Sequence, residues 1–257
     1  MKLVTWNLNS IRMRMARFVA WLEREQPDVV CLQETKVEDA GFPTAELTKL
    51  GYHVATFGQR SYNGVAILST QPLVDVTRRF GEDPQDDDGD ARVIAATTHG
   101  IRVVCLYVPN GQELTSDKYP YKLAWFGRLR AYLDRTAKPT DPLVVCGDMN
   151  VTPDDRDVWS PEKWKDQIHC SAPERAALQT MTEFGLVDLF REKYPDTRAW
   201  SWWDYRGVSF FKDQGLRIDV IFGTKSIVDR TTSVAIDRTA RKGQDASDHA
   251  PVIATID

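Results

Sequence analysis

Acidic, amide and imidazole side chains stand at the ends of several apolar stretches of this sequence. Glu34 closes VVCLQE, Asp148 and Asn150 close LVVCGDMN, and Asp248 and His249 come just before PVIATI, with one alanine between. A polar group at the end of a buried strand is held rigidly and is partly withdrawn from water. Several such groups at one type of position therefore indicate that they converge on a common site.

The residue types in this set indicate the chemistry of the site. Carboxylate and amide oxygens are hard ligands that suit Mg²⁺ or Mn²⁺, and these ions also bind substrate phosphate. The sequence has neither an HExxH motif nor a cysteine cluster, which argues against zinc. A histidine beside an aspartate suits proton transfer or stabilisation of charge in a transition state. The set predicts a site that polarises a phosphoryl oxygen and helps to generate hydroxide.

Further polar residues occupy similar positions. Asn7 follows the first apolar stretch, Tyr107 and Asn110 end LYVPNG, and Asp219 lies inside LRIDVI. A buried Asp219 is costly unless it is paired, so a partner is expected for it. Taken singly, these motifs also fit ordinary structural roles, such as a turn after a strand or a capped loop. Their shared position is what favours a functional site.

The elements that must position these residues follow from the apolar pattern. Strands are predicted at 3–9, 29–34, 52–57, 64–69, 92–98, 102–108, 143–148, 217–222 and 251–256. After Ser10, a candidate N-cap, apolar residues at i, i+3, i+4 and i+7 predict a helix, and further helices are predicted at about 120–135 and 173–184. Continuously apolar strands that alternate with helices predict α/β layers around a buried sheet.

The composition is that of an ordinary globular protein. The chain has 257 residues, of which 42% are hydrophobic and 27% charged, and a single domain over 1–257 is expected. No apolar stretch is long enough for a membrane span, and MKLVTWNLNS does not resemble a secretory signal. The four cysteines form no CxxC pair, so reduced thiols in a cytoplasmic protein are expected.

The charge of the chain limits how it can bind nucleic acid. A net charge of −4 argues against a general nucleic-acid coat protein. It is compatible with a DNA enzyme, which needs carboxylates at a metal site and only a local basic patch for binding. The acidic run EDPQDDDGD at 82–90 is expected to be a solvated loop.

Seven motifs, in order from residue 6 to residue 252, resemble the exonuclease III family of DNA repair nucleases: WNLNSIR, LQETK, YVPNG, GDMN, SWWDYR, LRIDVI and SDHAPV. The wider superfamily includes pancreatic-type deoxyribonucleases, sphingomyelinases and inositol-phosphate phosphatases, but SWWDYR and LRIDVI resemble the DNA repair branch alone. The resemblance implies a four-layer α/β sandwich, with two face-to-face β-sheets flanked by helices and the site at one edge. It also implies that the chain acts on double-stranded DNA by AP-site cleavage, 3′-5′ exonuclease activity and 3′-end trimming. A monomer is the default expectation.

The resemblance implies a role for each site residue. Asp148 would activate the attacking water or protonate the leaving group, and His249, oriented by Asp219, would stabilise phosphoryl charge or accept a proton. The implied catalytic residues are Asp148, Tyr107, Asn150, Asp219 and His249. The implied ligands of one or two Mg²⁺ or Mn²⁺ ions are Glu34, Asn7, Asp248, Asp148, Asn150 and His249. The implied substrate-binding residues are Trp202, Arg206, Arg217, Asn110 and His169.

Two departures from the family pattern bear on the substrate. Asn9 stands where some members carry an aspartate, which removes a charge from the metal region and weakens the expectation of a second metal. His169 lies in DVWSPEKWKDQIHCSAPER, which differs from the asparagine-rich form of other branches. A bulky, cationic side chain there would block an internal abasic site or favour a terminal 3′ phosphate, whereas an ordinary loop histidine would do neither.

Two other functions remain open on the same fold. One is a catalytically inactive regulator that binds nucleic acid, but such proteins lose the acidic and amide ligands that this chain retains. The other is a phosphatase or lipid phosphodiesterase of the same superfamily. Turnover of a small phosphate ester without cleavage of DNA would identify the second.

Overall fold

The computed structural model describes residues 1–81 and 89–257. Most of the acidic run EDPQDDDGD lies outside the described residues. In the described ranges the strands are β1 (Lys2–Asn7), β2 (Val29–Gln33), β3 (His53–Phe57), β4 (Val65–Ser69), β5 (Val74–Arg78), β6 (Val93–Thr98), β7 (Ile101–Tyr107), β8 (Leu143–Asp148), β9 (Val187–Asp188), β10 (Asp219–Gly223), β11 (Thr231–Ile236) and β12 (Val252–Ile256). The α-helices are α1 (Ile11–Glu25), α2 (Thr44–Lys49), α3 (Lys118–Thr136), α4 (Pro161–Trp164), α5 (Ala172–Thr182), α6 (Leu189–Lys193) and α7 (Lys225–Val228).

The strands form two six-stranded sheets with the same pattern of pairing. The first has the order β11-β12-β1-β2-β4-β3, and the second has the order β5-β6-β7-β8-β10-β9. Each contains one parallel pair, β1–β2 or β7–β8, and the other described pairs are antiparallel. A parallel pair requires a crossover connection, which α1 supplies in the first sheet and α3 in the second.

The strand register explains why the polar residues meet. In the parallel pairs, the carboxyl ends of both strands lie at the same edge, with Asn7 opposite Gln33 and Tyr107 opposite Asp148. The antiparallel strand β10 brings its first residue, Asp219, opposite Asp148. The antiparallel strand β12 pairs Val252 with the β1 strand, so the residues just before β12 lie near the end of β1.

The layers are held together by three apolar clusters. Between the sheets, residues such as Leu3, Cys31 and Val103 form a buried core to which both sheets contribute. Phe18 and Trp21 of α1 pack on the outer face of the first sheet. The helices α3 and α5 cover the outer face of the second sheet with residues that include Trp125, Leu129, Leu178 and Met181. This is the four-layer α/β sandwich that the family resemblance implied, and that prediction is confirmed.

The predicted strands and long helices are present with shifted ends. The strand predicted at 217–222 begins instead at Asp219, because the Arg217 N–H donates to Asp157 O and Ile218 O accepts from the Met149 N–H. The strands β5, β9 and β11 were not predicted. All three lie at sheet edges; β5 and β11 expose many of their residues, and β9 has only two residues. Among the described residues, no helix has both the length and the apolar character needed to cross a membrane.

Candidate active site

Asn7 joins the two sheets at the edge where the strand ends meet. Its Nδ2 donates to Glu34 Oε1 at 2.8 Å and to Asp148 Oδ2 at 2.9 Å, and the residue is fully buried. Glu34 follows β2 of the first sheet, and Asp148 ends β8 of the second sheet. The Asn7 amide therefore holds one carboxylate from each sheet close together. The Asn7 Oδ1 atom accepts from the Asn9 N–H at 2.9 Å, which fixes the orientation of the amide.

Left-handed residues turn the chain sharply where the strands end. Asn9, Glu34 and Asn150 have φ angles of 48°, 50° and 50°. Asparagine adopts this conformation more readily than most residues, whereas a glutamate in it stores strain. The turn after β8 is closed by the Asn150 N–H, which donates to Asp148 Oδ1 at 2.9 Å. The turns direct the side chains into the cleft at the sheet edge.

A buried histidine stands between two aspartates. His249 Nδ1 lies 2.8 Å from Asp219 Oδ2, and His249 Nε2 lies 3.8 Å from Asp148 Oδ2. All three side chains are at most 5% exposed. The partner expected for Asp219 is therefore His249, and the Asp219 contact leaves Nε2 directed toward Asp148.

The pKa shifts of this group follow from burial and from the opposed charges. Burial lowers the pKa of His249, but the Asp219 carboxylate outweighs burial and holds that pKa well above its usual value. Burial raises the pKa of Asp148, the carboxylates of Asp219 and Glu34 raise it further, and the charge of His249 opposes them. The three groups thus form a coupled set in which His249 holds a proton and Asp148 is readily protonated.

Glu34, Asp148 and His249 could hold a divalent metal ion. Each offers one ligand atom, and the three atoms lie within 4.8 Å of one another. The oxygen Asp219 Oδ1, beside this group, is buried and has no hydrogen-bond partner among the described residues. Burial is also the main cause of the raised pKa of Asp148. Negative charge here is incompletely balanced by the protein, so the donor set fits a cation that prefers oxygen ligands.

The other expected metal ligands are engaged elsewhere. The Asn7 amide presents its N–H groups to the carboxylates. Asp248 accepts from Asn9 Nδ2 at 2.9 Å and from Trp202 Nε1 at 3.0 Å. The side chain of Asn150 donates to Val108 O at 2.9 Å. The structure therefore brings three of the six expected ligands into one cluster and places the other three around it.

Tyr107 lies beside the cluster at the end of β7. Burial raises the pKa of Tyr107 well above its usual value, and the charges of Glu34 and Asp148 raise it further. The phenol therefore keeps its proton and can donate a hydrogen bond. The Arg92 guanidinium lies 5.0 Å from the centre of the Tyr107 ring, and this cation–π contact helps to fix the ring.

Asn110, Asn150, His169 and Trp202 form one wall of the cleft. Asn110 Nδ2 donates to Asn150 Oδ1 at 3.1 Å, and His169 Nδ1 lies 2.6 Å from Asn150 O. The rings of His169 and Trp202 are 6.3 Å apart. Burial, with the charge of Lys122, lowers the pKa of His169 to about 4. His169 is therefore neutral near pH 7, which corrects the expectation of a cationic side chain.

The two arginines expected at the substrate do not join this wall. Arg217 is 1% exposed, and its guanidinium donates to Asp157 Oδ1 at 2.6 Å and to Asp188 Oδ2 at 2.7 Å. These two carboxylates neutralise the charge of Arg217 inside the protein, so the expectation that Arg217 contacts phosphate is wrong. Arg206 is exposed and pairs with Asp204.

Three charged residues near the site were missed by the sequence analysis. Lys36 Nζ lies 2.8 Å from Glu34 Oε2 and 2.5 Å from Asn9 Oδ1. Its place in LQETK, two residues after Glu34, is a signal that was available in the sequence. Lys122 and Glu174 form a buried ion pair behind the wall, and they gave no local signal because 52 residues separate them.

Two buried carboxylates, a buried imidazole and an amide wall at one edge of a four-layer sandwich define a metal-assisted phosphoester hydrolase. Residues 4–249 match the Endonuclease/Exonuclease/phosphatase family, and the chain belongs to that family.

Trp203, beside Trp202, is fully buried against Phe210 and is part of the core.

Three individual proteins are similar to this chain over nearly its whole length. It is 35% identical to exodeoxyribonuclease III of Haemophilus influenzae over 99% of both chains, which confirms the resemblance to the exonuclease III family. An AP endonuclease from Archaeoglobus fulgidus is 38% identical, with a TM-score of 0.96 over 100% of this chain and 99% of that one. A 3′ phosphatase from Neisseria, solved with a product DNA hairpin, is 39% identical, with the same TM-score and the same coverage.

Proposed function

We propose that this chain is a metal-dependent nuclease that hydrolyses phosphodiester bonds of DNA, with AP sites and 3′ ends of duplex DNA as substrates. The cluster of Glu34, Asp148 and His249 carries the proposal, because it combines hard ligands with a proton-transfer group. The full-length identity to exodeoxyribonuclease III supports DNA as the substrate. The DNA bound to the Neisseria 3′ phosphatase supports a role at 3′ ends.

In the proposed reaction the side chains orient water and phosphate. Asp148 accepts the proton of the attacking water, for which its raised pKa makes it a suitable base near neutral pH. His249, held by Asp219, stabilises the charge that develops on the phosphoryl oxygens. Asn150 and Tyr107 donate hydrogen bonds to the phosphate. Positioning and charge stabilisation together account for most of what phosphodiester hydrolysis requires.

The residues also fit the proposed metal. We assign the carboxylates of Glu34 and Asp148 as its protein ligands and Mg²⁺ or Mn²⁺ as the ion, since their oxygens are hard donors and the protonated His249 has no free lone pair for a metal. When bound, such an ion polarises a phosphoryl oxygen and lowers the pKa of water. The Lys36 ammonium already lies next to Glu34 and Asn9. The Lys36 charge already balances negative charge on the Glu34 side of the site. We therefore propose that only one metal ion binds.

The activity is tested on matched DNA substrates. We expect the protein to cut a duplex with a recessed 3′ end, one with a 3′ phosphate and one with an internal abasic site, in Mg²⁺ or Mn²⁺ and not in EDTA. Gel analysis of end-labelled strands measures each rate. Turnover of a small phosphate ester, without cleavage of any DNA, would instead support the phosphatase alternative.

We propose that His169 sets the preference among these substrates. Its ring is buried, fixed by Asn150 O and close to Trp202, so it narrows the wall where a flipped-out abasic sugar would lie. The variant His169→Gly is expected to raise the ratio of abasic-site cleavage to 3′-phosphate removal by at least about tenfold, since a steric barrier is removed. Unchanged substrate ratios would reject this role. His99→Gly, at a half-buried site away from the cluster, serves as the matched control.

We further propose that the protein acts as a monomer in the cytoplasm. The cluster and the amide wall are built from one chain, which supports a monomer. The four cysteines are buried free thiols, as is usual in a reducing compartment. An inactive regulator is disfavoured, because the acid, amide and imidazole groups are all retained and converge at one edge.

A further inference from the structure

An ion pair without solvent contact lies directly behind the amide wall. It joins Lys122 of α3 to Glu174 of α5, and both side chains are 0% exposed. Burying two charges costs several kcal/mol per ion before their attraction is counted. Apolar residues of similar volume are often as stabilising in such a place, so stability alone does not account for this ion pair.

Every donor of the lysine is used, and two of its acceptors belong to the wall. Lys122 Nζ donates to the backbone oxygen of Asn110 at 3.1 Å and to that of Asn150 at 2.6 Å, and its third contact is the Glu174 carboxylate. The side chains of Asn110 and Asn150 are joined to each other on the side of the cleft. The lysine therefore holds both asparagines from behind.

The glutamate holds the third member of the wall. Glu174 Oε1 accepts from the His169 N–H at 3.1 Å. Glu174 Oε2 accepts from the N–H of Ser171 at 3.1 Å and from its Oγ at 2.6 Å, in the capping box that begins α5. His169 and Asn150 both have left-handed backbones, with φ angles of 73° and 50°. The contacts to Glu174 and Lys122 offset the cost of those conformations.

We propose that Lys122 and Glu174 are positioning residues for the cleavage reaction, which together hold Asn110, Asn150 and His169 at the geometry that the scissile phosphate requires. The proposal rests on the proposed function of the site. Neither residue reaches the cleft, so both act through the wall. A displacement of about 1 Å at such a wall can cost about 100-fold in rate.

The test uses Lys122→Met, which keeps the length of the side chain and removes its charge and donors, and Glu174→Gln, which keeps the shape. Leu133→Ala is the matched control, because Leu133 is a fully buried residue of the same helix in the apolar cluster. We expect kcat on a 3′-recessed duplex to fall by about 10- to 100-fold in both ion-pair variants. We expect KM to change by less than about threefold, because the loss is in the transition state. Leu133→Ala is expected to lower the melting temperature and leave kcat unchanged.

The double variant Lys122→Met/Glu174→Gln separates positioning from stability. It leaves no unpaired buried charge, so it is expected to melt at a higher temperature than Lys122→Met. If the pair positions the wall, kcat of the double variant stays as low as in the single variants, since the two residues act as one unit. A kcat that recovers together with the melting temperature would overturn the proposal.

A readout independent of catalysis completes the test. The side-chain amide NMR resonances of Asn110 and Asn150 are expected to shift in Lys122→Met and to stay in place in Leu133→Ala. Unmoved resonances in Lys122→Met would overturn the proposal. If the parent protein cuts no DNA, the proposed function fails, and these resonances alone then decide whether the pair positions the wall.

Discussion

At the scale of single residues, the site depends on side chains whose charge is set by a neighbour. His249 is buried and would lose its proton by burial alone, yet the Asp219 carboxylate at 2.8 Å keeps the pKa of the imidazole above its usual value. Asp148 is buried on the other side of the same ring. The charge on His249 therefore depends on Asp219, which lies outside the cleft.

The variant Asp219→Asn tests this dependence. It keeps the shape of the side chain and removes the charge that raises the pKa of His249, so the folded-state pKa falls and the protonated form is lost as the pH rises. We expect kcat to fall by about 100-fold or more near pH 7, as is typical when a group that stabilises developing charge is lost. Steady-state cleavage of a 3′-recessed duplex measures the effect. A kcat within twofold of the parent would show that the charge of Asp219 is dispensable.

The sequence predicted the acids of the site better than their partners. Glu34, Asp148 and His249 were expected to converge because each stands at a strand end, and they do. Arg217 was expected at the phosphate, but its carboxylate partners, Asp157 and Asp188, are distant in sequence. Nothing near Arg217 in the chain reveals that its charge is already neutralised, since this depends on tertiary packing.

At the scale of secondary-structure elements, the parallel pairs β1–β2 and β7–β8 decide where the site forms. Both pairs end at the same edge of the sandwich, and Asn7 connects their carboxylates. Alternation of strands and helices predicted α/β layers around a buried sheet, but it did not predict which strands pair in parallel. The edge strands β5 and β11 were not predictable, because an exposed strand lacks the continuous apolar run of a buried one.

Gly147 shows how closely β7 and β8 must approach. Its φ angle is +151°, and a Cβ atom at this position would lie 1.9 Å from Leu106 O in β7. The variant Gly147→Ala is expected to push the strands apart and to cost about 1–3 kcal/mol of stability, as overpacking does. Because Asp148 is the next residue, kcat should fall as well. Urea unfolding and cleavage assays measure both effects.

A matched glycine variant shows whether the effect is specific to Gly147. Gly127 of α3 is a suitable control, since a Cβ there meets no atom within 4 Å. Gly127→Ala is expected to be neutral or slightly stabilising in a helix. If both variants matched the parent in stability and kcat, the close contact of β7 with β8 would not constrain the site.

At the scale of the whole molecule, both sheets contribute residues to the proposed metal site. Glu34 comes from the edge of the first sheet, Asp148 ends a strand of the second, and His249 directly precedes the last strand of the first. A cation bound by Glu34 and Asp148 therefore links the two sheets of the sandwich. Such a ligand stabilises the folded chain by mass action, because the unfolded chain has no such site.

Thermal unfolding with and without metal tests this link. At about 100 times the dissociation constant, Mg²⁺ or Mn²⁺ should add about 2.7 kcal/mol of stability and raise the melting temperature. The variant Glu34→Gln, which removes one ligand charge, should lose most of this shift. An equal metal-induced shift in Glu34→Gln and in the parent would show that the ion binds elsewhere.

The most direct test of the central claim is the single-turnover rate of DNA cleavage by Asp148→Asn. The control is Asp229→Asn, which makes the same change at an exposed residue directly after α7. In Mg²⁺, on a duplex with a recessed 3′ end, Asp148→Asn should be slower by about 100- to 10,000-fold, because the group that takes the proton from water is lost. Asp229→Asn should match the parent. If Asp148→Asn cut DNA at the parental rate, the assignment of this cluster as the catalytic site would be wrong.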